Sequence, residues 1–278
     1  MNNPLISIVI PTKNSSLTLS NCLQTIKGQT YGNYEIIIVD AFSKDGTKKI
    51  AESFGARYFA SSDGPSGARN LGFSKANGSI FVSIDSDMLL DKNLLGEASS
   101  LIGTYDALIF PEVGYGTDFV SRCKDLEKRC YIGDSTIESC RAFKKEAFNA
   151  VGGYDSSLHF GEDWDLNSRI ANLFRIGRTN ARIMHDTRSV TIRQDLKKAY
   201  MYGSTLRHYL AKKNPQSRKW LAFRNLFFIK HFWDLAKEPI EGIGITVIKS
   251  AEYSAGLLGY VSSYIFPKEN SIGKADGK

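Results

Sequence analysis

Cysteine and histidine are scarce, four of each in 278 residues, and their spacing offers no metal or disulfide framework. Cys22, Cys123, Cys130 and Cys140 form no C-x-x-C pair, and no histidine follows them at zinc-finger intervals, so neither a zinc site nor a set of disulfides is expected. A reducing compartment follows as the expectation. The start, Met1-Asn2-Asn3-Pro4, runs straight into an apolar segment with no basic region, long apolar core or cleavage site, so no secretory leader is expected and the body is expected in the cytoplasm. No G-x-G-x-x-G follows the first apolar run. Pro11-Thr12-Lys13-Asn14 stands there instead, which disfavours a dinucleotide-dependent dehydrogenase, and the glycine- and arginine-rich loop of a sugar nucleotidyl-transferase is missing from the same place. A clean membrane-spanning run is absent too. Ile240–Phe266 is apolar for most of its length but is broken by Lys249 and Glu252, whereas a span needs about 20 predominantly apolar residues and central charges there are costly. That stretch is expected to pack on the body or lie on a membrane surface. Repeats and low-complexity tracts are also missing.

What is present divides unevenly. Residues 1–187 carry 20 Lys and Arg against 22 Asp and Glu, while residues 188–278 carry 16 against 7, so the net charge of +7 belongs to the C-terminal third. Arg188 to Lys230 holds 11 basic residues and one acid, Asp195, interleaved with Tyr200, Tyr202, Tyr209, Trp220, Phe223, Phe227 and Phe228. Basic residues mixed with large aromatics are the chemistry of an anionic lipid interface, so an anionic membrane surface is the expected partner of this segment. A boundary is placed near Arg188, separating a catalytic body, 1–187, from a basic helical region, 188–278.

Short apolar runs alternate with helix-period segments through the first two fifths, the pattern of βαβ units and a mostly parallel sheet. Leu5–Ile10, Glu35–Val39, Ala56–Phe59, Ile80–Ile84 and Ala107–Phe110 read as strands; Leu17–Lys27, Lys44–Phe54, Ser66–Ala76 and Asp91–Leu101 read as helices. Further on, a helix is expected over Asp118–Cys130, a strand over Ser139–Phe143, a helix over Asp163–Phe174 and a last strand over Arg178–Met184. Two helices, Asp195–Lys213 and Lys219–Lys237, follow, separated by Asn214-Pro215.

Four segments carry the chemistry. Asp85-Ser86-Asp87 closes the run Ile80–Ile84, and carboxylates at the end of a strand in an α/β sheet face the crevice where ligands bind, where hard oxygen donors suit Mg²⁺ or Mn²⁺ and a phosphate. Pro11, Thr12 and Asn14 form the loop after the first strand at the same edge. Asp40, ending the second strand in Val39-Asp40-Ala41-Phe42-Ser43-Lys44-Asp45-Gly46-Thr47, is placed to accept hydrogen bonds from a nucleotide's base or ribose. Gly67-Ala68-Arg69-Asn70-Leu71-Gly72 offers a helix start with an arginine, suited to a diphosphate.

Together and in this order, these segments resemble the donor-binding half of the family 2 inverting glycosyltransferases, which have a GT-A fold. The resemblance covers residues 4–115 closely and 116–187 more loosely. It implies an α/β GT-A domain with a nucleotide-sugar-binding half, 1–115, and an acceptor half, 116–187. It implies that Asp40 contacts the base, that Arg69 lies near base or diphosphate, and that Asp85, Ser86 and Asp87 face the ribose and the metal-bound diphosphate, with a divalent metal, Mg²⁺ or Mn²⁺, as cofactor. Ala41 departs from the family, where a second aspartate is common. Phe160-Gly161-Glu162-Asp163-Trp164-Asp165-Leu166 resembles the family's Glu-Asp element, which makes Asp163 the candidate general base and Glu162 its orienting neighbour. His185 matches a position that contacts metal or diphosphate in relatives.

The expected function is therefore transfer of a sugar from a nucleoside-diphosphate donor to a hydroxyl of a lipid-linked or cell-surface glycan acceptor, at the cytoplasmic face of a membrane. A polyprenyl-phosphate glycosyl synthase is the alternative, although an anionic acceptor hardly needs the base that Glu162-Asp163 supplies. A nucleic-acid-binding module leaves the four segments unexplained, so nucleic acid is not an expected partner.

Overall fold

A computed structural model describes residues 3–134, 137–158, 161–188, 191–211 and 227–265. The strands are β1 (Ile6–Thr12), β2 (Tyr34–Asp40), β3 (Arg57–Ala60), β4 (Ile80–Ser83), β5 (Met88–Leu90), β6 (Ala107–Ile109), β7 (Glu112–Tyr115), β8 (Cys140–Lys144), β9 (Ile176–Arg178) and β10 (Ile183–Asp186). The helices are α1 (Leu19–Lys27), α2 (Thr47–Ser53), α3 (Gly64–Ser74), α4 (Leu94–Leu101), α5 (Phe119–Tyr131), α6 (Lys145–Ala150), α7 (Glu162–Ala171), α8 (Ile192–Ala211), α9 (Phe227–Lys230), α10 (Phe232–Lys237) and α11 (Pro239–Ile265).

Seven strands form the central sheet in the order β3-β2-β1-β4-β8-β6-β9. β1 pairs in parallel with β2 and β4, and β2 with β3, while β8 runs antiparallel between β4 and β6. The inner strands are apolar at almost every position because helices cover both faces. Ile6, Ile8, Ile10, Ile36 and Ile38 meet Leu19, Leu23 and Ile26 of α1 and Leu94 and Leu95 of α4 on one face. Val9, Ile37, Val39, Phe81 and Phe143 meet Phe73 of α3, Phe148 of α6, and Leu166 and Ile170 of α7 on the other. Gly72 lets α3 sit directly on the sheet, since a Cβ there would lie 2.3 Å from Val9 Cγ1. In this register Thr12 stands beside Asp40 at the carboxyl edge, where β4 also ends.

A second sheet, β5-β10-β7, crosses that edge. Its middle strand differs from the sequence reading, in which Arg178–Met184 is one strand. The segment splits into β9 in the large sheet and β10 in the small one, because the Glu97 carboxylate accepts the backbone N–H groups of Asn180 and Ala181, at 2.7 and 2.8 Å, and bends the chain between them. His185 consequently lies within β10, not after a strand.

The C-terminal helices rest on α5. Ile245 and Ile248 of α11 pack against Cys123, Leu126 and Cys130. Lys249 and Glu252, which interrupt the apolar run, face inward: Lys249 Nζ lies 2.6 Å from Glu127 and 2.7 Å from Glu252, and Lys124 pairs with Glu252 and Asp195. Among the described residues no helix is long and apolar enough to cross a membrane. The break expected at Asn214-Pro215, and Trp220 and Phe223 with it, lie outside the described residues.

Candidate functional site

The loops after β1 and β2 are tied to each other through Asp40. Its carboxylate is fully buried and accepts from Thr12 Oγ1 at 2.7 Å, Ser43 N at 2.7 Å, Ser43 Oγ at 2.6 Å and Tyr58 OH at 2.8 Å. Burial pushes its pKa up, but the hydrogen bonds from Ser43, Thr12 and Tyr58 outweigh it and hold the carboxyl below its usual value. Asp40 thus shapes the strand-end loop with its side chain spent on internal bonds. Asn14 donates its N–H to Ser43 Oγ at 2.6 Å and accepts from Lys44 N at 3.0 Å. Asn14 and Phe42 have left-handed backbones, φ 49° and 54°. For the bulky Phe42, 65% exposed at this rim, such a conformation costs free energy. Pro11 fills its place inside β1, and Ser86 Oγ donates to Ser15 Oγ at 2.9 Å, joining the Asp85–Asp87 turn to the first loop.

Asp85 sits between two guanidinium groups. Arg69 Nη2 donates to Oδ1 at 2.7 Å, and Arg141 Nη1 to Oδ2 at 3.3 Å. Burial raises its pKa, and Arg141 and Arg69 more than reverse this, so the carboxyl lies well below its usual range. Arg69 continues to Glu162 Oε1 at 3.2 Å and approaches Asp163 at 4.0 Å, while its guanidinium lies 5.3 Å from the centre of the Tyr154 ring. Glu162 and Asp163 open α7, entered through Gly161 at φ 74°, a left-handed turn that glycine makes without a Cβ penalty. Burial and the neighbouring Asp163 push the Glu162 carboxyl up. Asp163 Oδ1 is buried and makes no hydrogen bond among the described residues; Oδ2 stands 3.9 Å from Arg141.

Asp87 and His185 come together because the Asp186 N–H donates to the Asp87 carbonyl at 2.7 Å. Their Oδ2 and Nε2 atoms are 3.1 Å apart. Two partly exposed donors at this separation fit a small dication that completes its shell with diphosphate oxygens and water. Burial and the Lys128 ammonium lower the His185 pKa, but Asp87 and Glu112 outweigh them and raise it.

Sequence reasoning missed Arg141, Glu112 and Lys128. Glu112 Oε1 accepts from Arg141 Nη2 at 2.9 Å, Lys128 Nζ donates to Glu112 Oε2 at 3.0 Å, and the same oxygen lies 3.5 Å from His185 Nδ1. Burial pushes the Glu112 carboxyl up; Lys128 and Arg141 pull it well below the usual glutamate range. A readable signal existed for Arg141 alone, a lone arginine within the apolar strand Cys140-Arg141-Ala142-Phe143. Lys198 of α8 was also missed: its Nζ lies 5.6 Å from the Tyr202 ring centre, and it feels the charges of Asp85 and Asp87.

Beside Asp163 opens a cavity of about 280 Å³. Its walls carry the aromatics Tyr131, Trp164 and Tyr202 and the acids Glu112, Glu138, Glu162 and Asp163. Its cations among the described residues, Lys128 and Arg141, are both ion-paired with Glu112. The arrangement joins a strand-end rim suited to a nucleotide and metal with an acidic, aromatic cavity, and Asp163 borders both.

The family model described as Glycosyl transferase family 2 matches residues 7–152. A PGL/p-HBAD biosynthesis glycosyltransferase of Mycobacterium bovis is 29% identical over 182 residues, 60% of this chain and 69% of that protein. Glycosyltransferase AglE of Haloferax volcanii is 34% identical over 179 residues, 58% of this chain and 59% of that protein. Among solved structures, the mannosyltransferase PcManGT of Pyrobaculum calidifontis, in complex with GDP-Man and Mn²⁺, superposes with a TM-score of 0.65 at 16% identity, covering 97% of this chain and 89% of that one. S. aureus TarS 1-349 in complex with UDP-GlcNAc superposes with a TM-score of 0.55 at 18% identity, covering 98% and 95%. At such identity the structural likeness speaks for the fold, which is GT-A.

Proposed function

Since the chain belongs to glycosyltransferase family 2, we propose that it is an inverting enzyme that moves a sugar from a nucleoside diphosphate to a hydroxyl of a lipid-linked or cell-surface glycan acceptor. The observation that carries this reading is Asp163. Its carboxylate borders the cavity and the Asp85 network at once, and the guanidinium groups of Arg69 and Arg141, at 4.0 and 3.9 Å, are too far to occupy its lone pairs with hydrogen bonds. An acceptor hydroxyl in the cavity gives its proton to Asp163 as its oxygen bonds to the anomeric carbon. The bond from that carbon to the diphosphate breaks on the opposite face, its electron pair leaves with the diphosphate, and the configuration inverts.

On the donor side, Pro11, Thr12 and Asn14 form the rim of the base site with Asp40 beneath them. Arg69 and Arg141 fix the Asp85 carboxylate, and Ser86 holds its turn to the first loop. Asp87 and His185 are the residues to hold Mg²⁺ or Mn²⁺, which when bound stabilises the charge of the departing diphosphate as a Lewis acid. Glu162, raised by its burial and by Asp163, orients the base or the acceptor.

The cavity favours a neutral hydroxyl acceptor over a polyprenyl phosphate. Among the described residues four acids line it against two cations, Lys128 and Arg141, which both pair with Glu112, Arg141 pairing with Asp85 as well, so an entering phosphate meets a net negative wall. Tyr131, Trp164 and Tyr202 offer flat apolar faces for a sugar ring. Residues 1–187 are then the catalytic domain, 1–115 for donor and 116–187 for acceptor, and 188–278 the region that meets an anionic membrane at its cytoplasmic face. In support of that last role, Trp233, Ile240, Ile243, Val247, Leu257 and Leu258 are each more than 60% exposed.

A screen of UDP-, GDP- and dTDP-sugars tests the reading. One donor class raises the unfolding midpoint in the presence of Mn²⁺ or Mg²⁺ and is consumed with acceptor; stabilisation by none of them, with or without metal, contradicts it. A polyprenyl monophosphate sugar as sole product moves the assignment to the synthase reading.

A further inference from the structure

We propose that Cys130, His231 and Asp234 form a binding site for a transition-metal dication of the zinc class at the joint between α5 and the C-terminal helices. One donor atom from each of the three lies within 4.8 Å of the others. His231 Nδ1 and Asp234 Oδ2 are 3.5 Å apart. A tetrahedral ion with bonds of about 2.0–2.1 Å sets two such ligands roughly 3.3–3.4 Å apart, so this edge of the site is already formed. Thiol, imidazole and carboxylate together suit a borderline ion such as Zn²⁺, whereas a thiolate is a poor ligand for the hard Mg²⁺ and Ca²⁺.

The frame around the three residues is held largely by contacts of their chain neighbours. Arg129, next to Cys130, makes a two-pronged ion pair with Glu238, at 2.8 and 2.9 Å. Lys230, next to His231, pairs with Asp134, one turn beyond Cys130. Leu235, one residue past Asp234, packs in the same small core as Cys130. The two segments are thus pinned on either side of the donors, so much of the ordering needed to bring them together is already present in the fold. Cys130 and His231 are buried, while Asp234 is exposed and gives an ion its way in. Lys237 Nζ holds Asp234 Oδ1 at 2.9 Å, which leaves Oδ2, the oxygen facing the imidazole, for a metal.

None of the three residues lines the cavity or belongs to the Asp85 and Asp87 network, so this site is distinct from the one expected to hold a metal with the donor. It would fasten α10, and α11 behind it, to the helix that carries Lys128 and Tyr131 of the cavity wall. No local pattern marks it, because Cys130 and His231 are 101 positions apart and meet only when the C-terminal helices fold back on α5.

The test uses the full chain, stripped with a chelator, then titrated with Zn²⁺ against a competing chromophoric chelator and separately with Co²⁺. The expected result is one tight Zn²⁺ equivalent and, with Co²⁺, a sulfur-to-metal charge-transfer band that disappears in Cys130→Ser and in His231→Ala. Asp87→Ala keeps both signals, which separates this ion from one held at the donor site. Circular dichroism verifies that each variant is folded, and His231→Ala carries the test if Cys130→Ser is not. Absence of a thiolate band in the parent chain, its persistence in folded His231→Ala, or its loss in Asp87→Ala would overturn the proposal.

Discussion

Asp85 has both carboxylate oxygens taken by arginines, while among the described residues the Asp87 carboxylate, two residues on, pairs with His185. The first is fixed in place, and in the proposed reading the second holds the metal. His185 reports on the same cluster. Its pKa is raised above the usual histidine value, so protonation is favoured in the folded state, and its contribution to stability is full below about pH 6.5 and is lost as the pH rises through the raised value. Lys128 lowers this value while Asp87 and Glu112 raise it. In chelator-treated protein, the stability advantage of the parent over His185→Gln therefore shrinks between pH 6 and pH 8.5, as urea unfolding can measure; an advantage that grows over this range contradicts it. Phe42 tests the rim. Phe42→Gly relieves a left-handed backbone and raises stability by about 1 kcal/mol, whereas its effect on nucleotide affinity, read by calorimetry, is a loss if the exposed ring lies against the base. A lower unfolding free energy for Phe42→Gly would mean that the ring holds the loop instead.

At the scale of elements, α3 depends on the close approach that Gly72 permits. Gly72→Ala puts a methyl into Val9 and within 3.2 Å of Val39 Cγ2, costing about 1–3 kcal/mol, and Val9→Ala in the same chain recovers most of the loss. Equal destabilisation in single and double variants would show that the contact is not the cause. The strands that α3 covers are legible in the sequence, because a sheet buried on both faces must be written as continuous apolar runs. The three-stranded sheet is not legible: β5, β7 and β10 are three or four residues long and take their order from partners far along the chain. The same holds for the site. Asp85, Asp87 and Asp163 stand in recognisable local patterns, while the meaning of Glu112 and Arg141 lies in ion pairs 29 and 56 residues apart in sequence, which no local pattern records.

For the whole molecule, the fold joins the strand-end rim to the acidic cavity at Asp163, and α11 carries an apolar face. Ile240, Ile243, Val247, Leu257, Leu258 and Val261 recur at helical spacing along the outer face of α11, opposite the inward Lys249 and Glu252. Vesicles containing anionic lipid are expected to sediment the protein in a salt-sensitive way, and Ile243→Asp with Val247→Asp and Leu257→Asp to abolish this without unfolding it; equal sedimentation of the triple variant would remove the membrane from the account. Asp163→Asn separates the proposed work of the rim from that of the cavity, in one titration of the nucleotide and one assay of transfer. Nucleotide affinity in the presence of metal is expected to be kept while transfer to a hydroxyl acceptor falls by about 10²–10⁴-fold. Transfer at the parent rate by Asp163→Asn, with nucleotide bound as before, would contradict it.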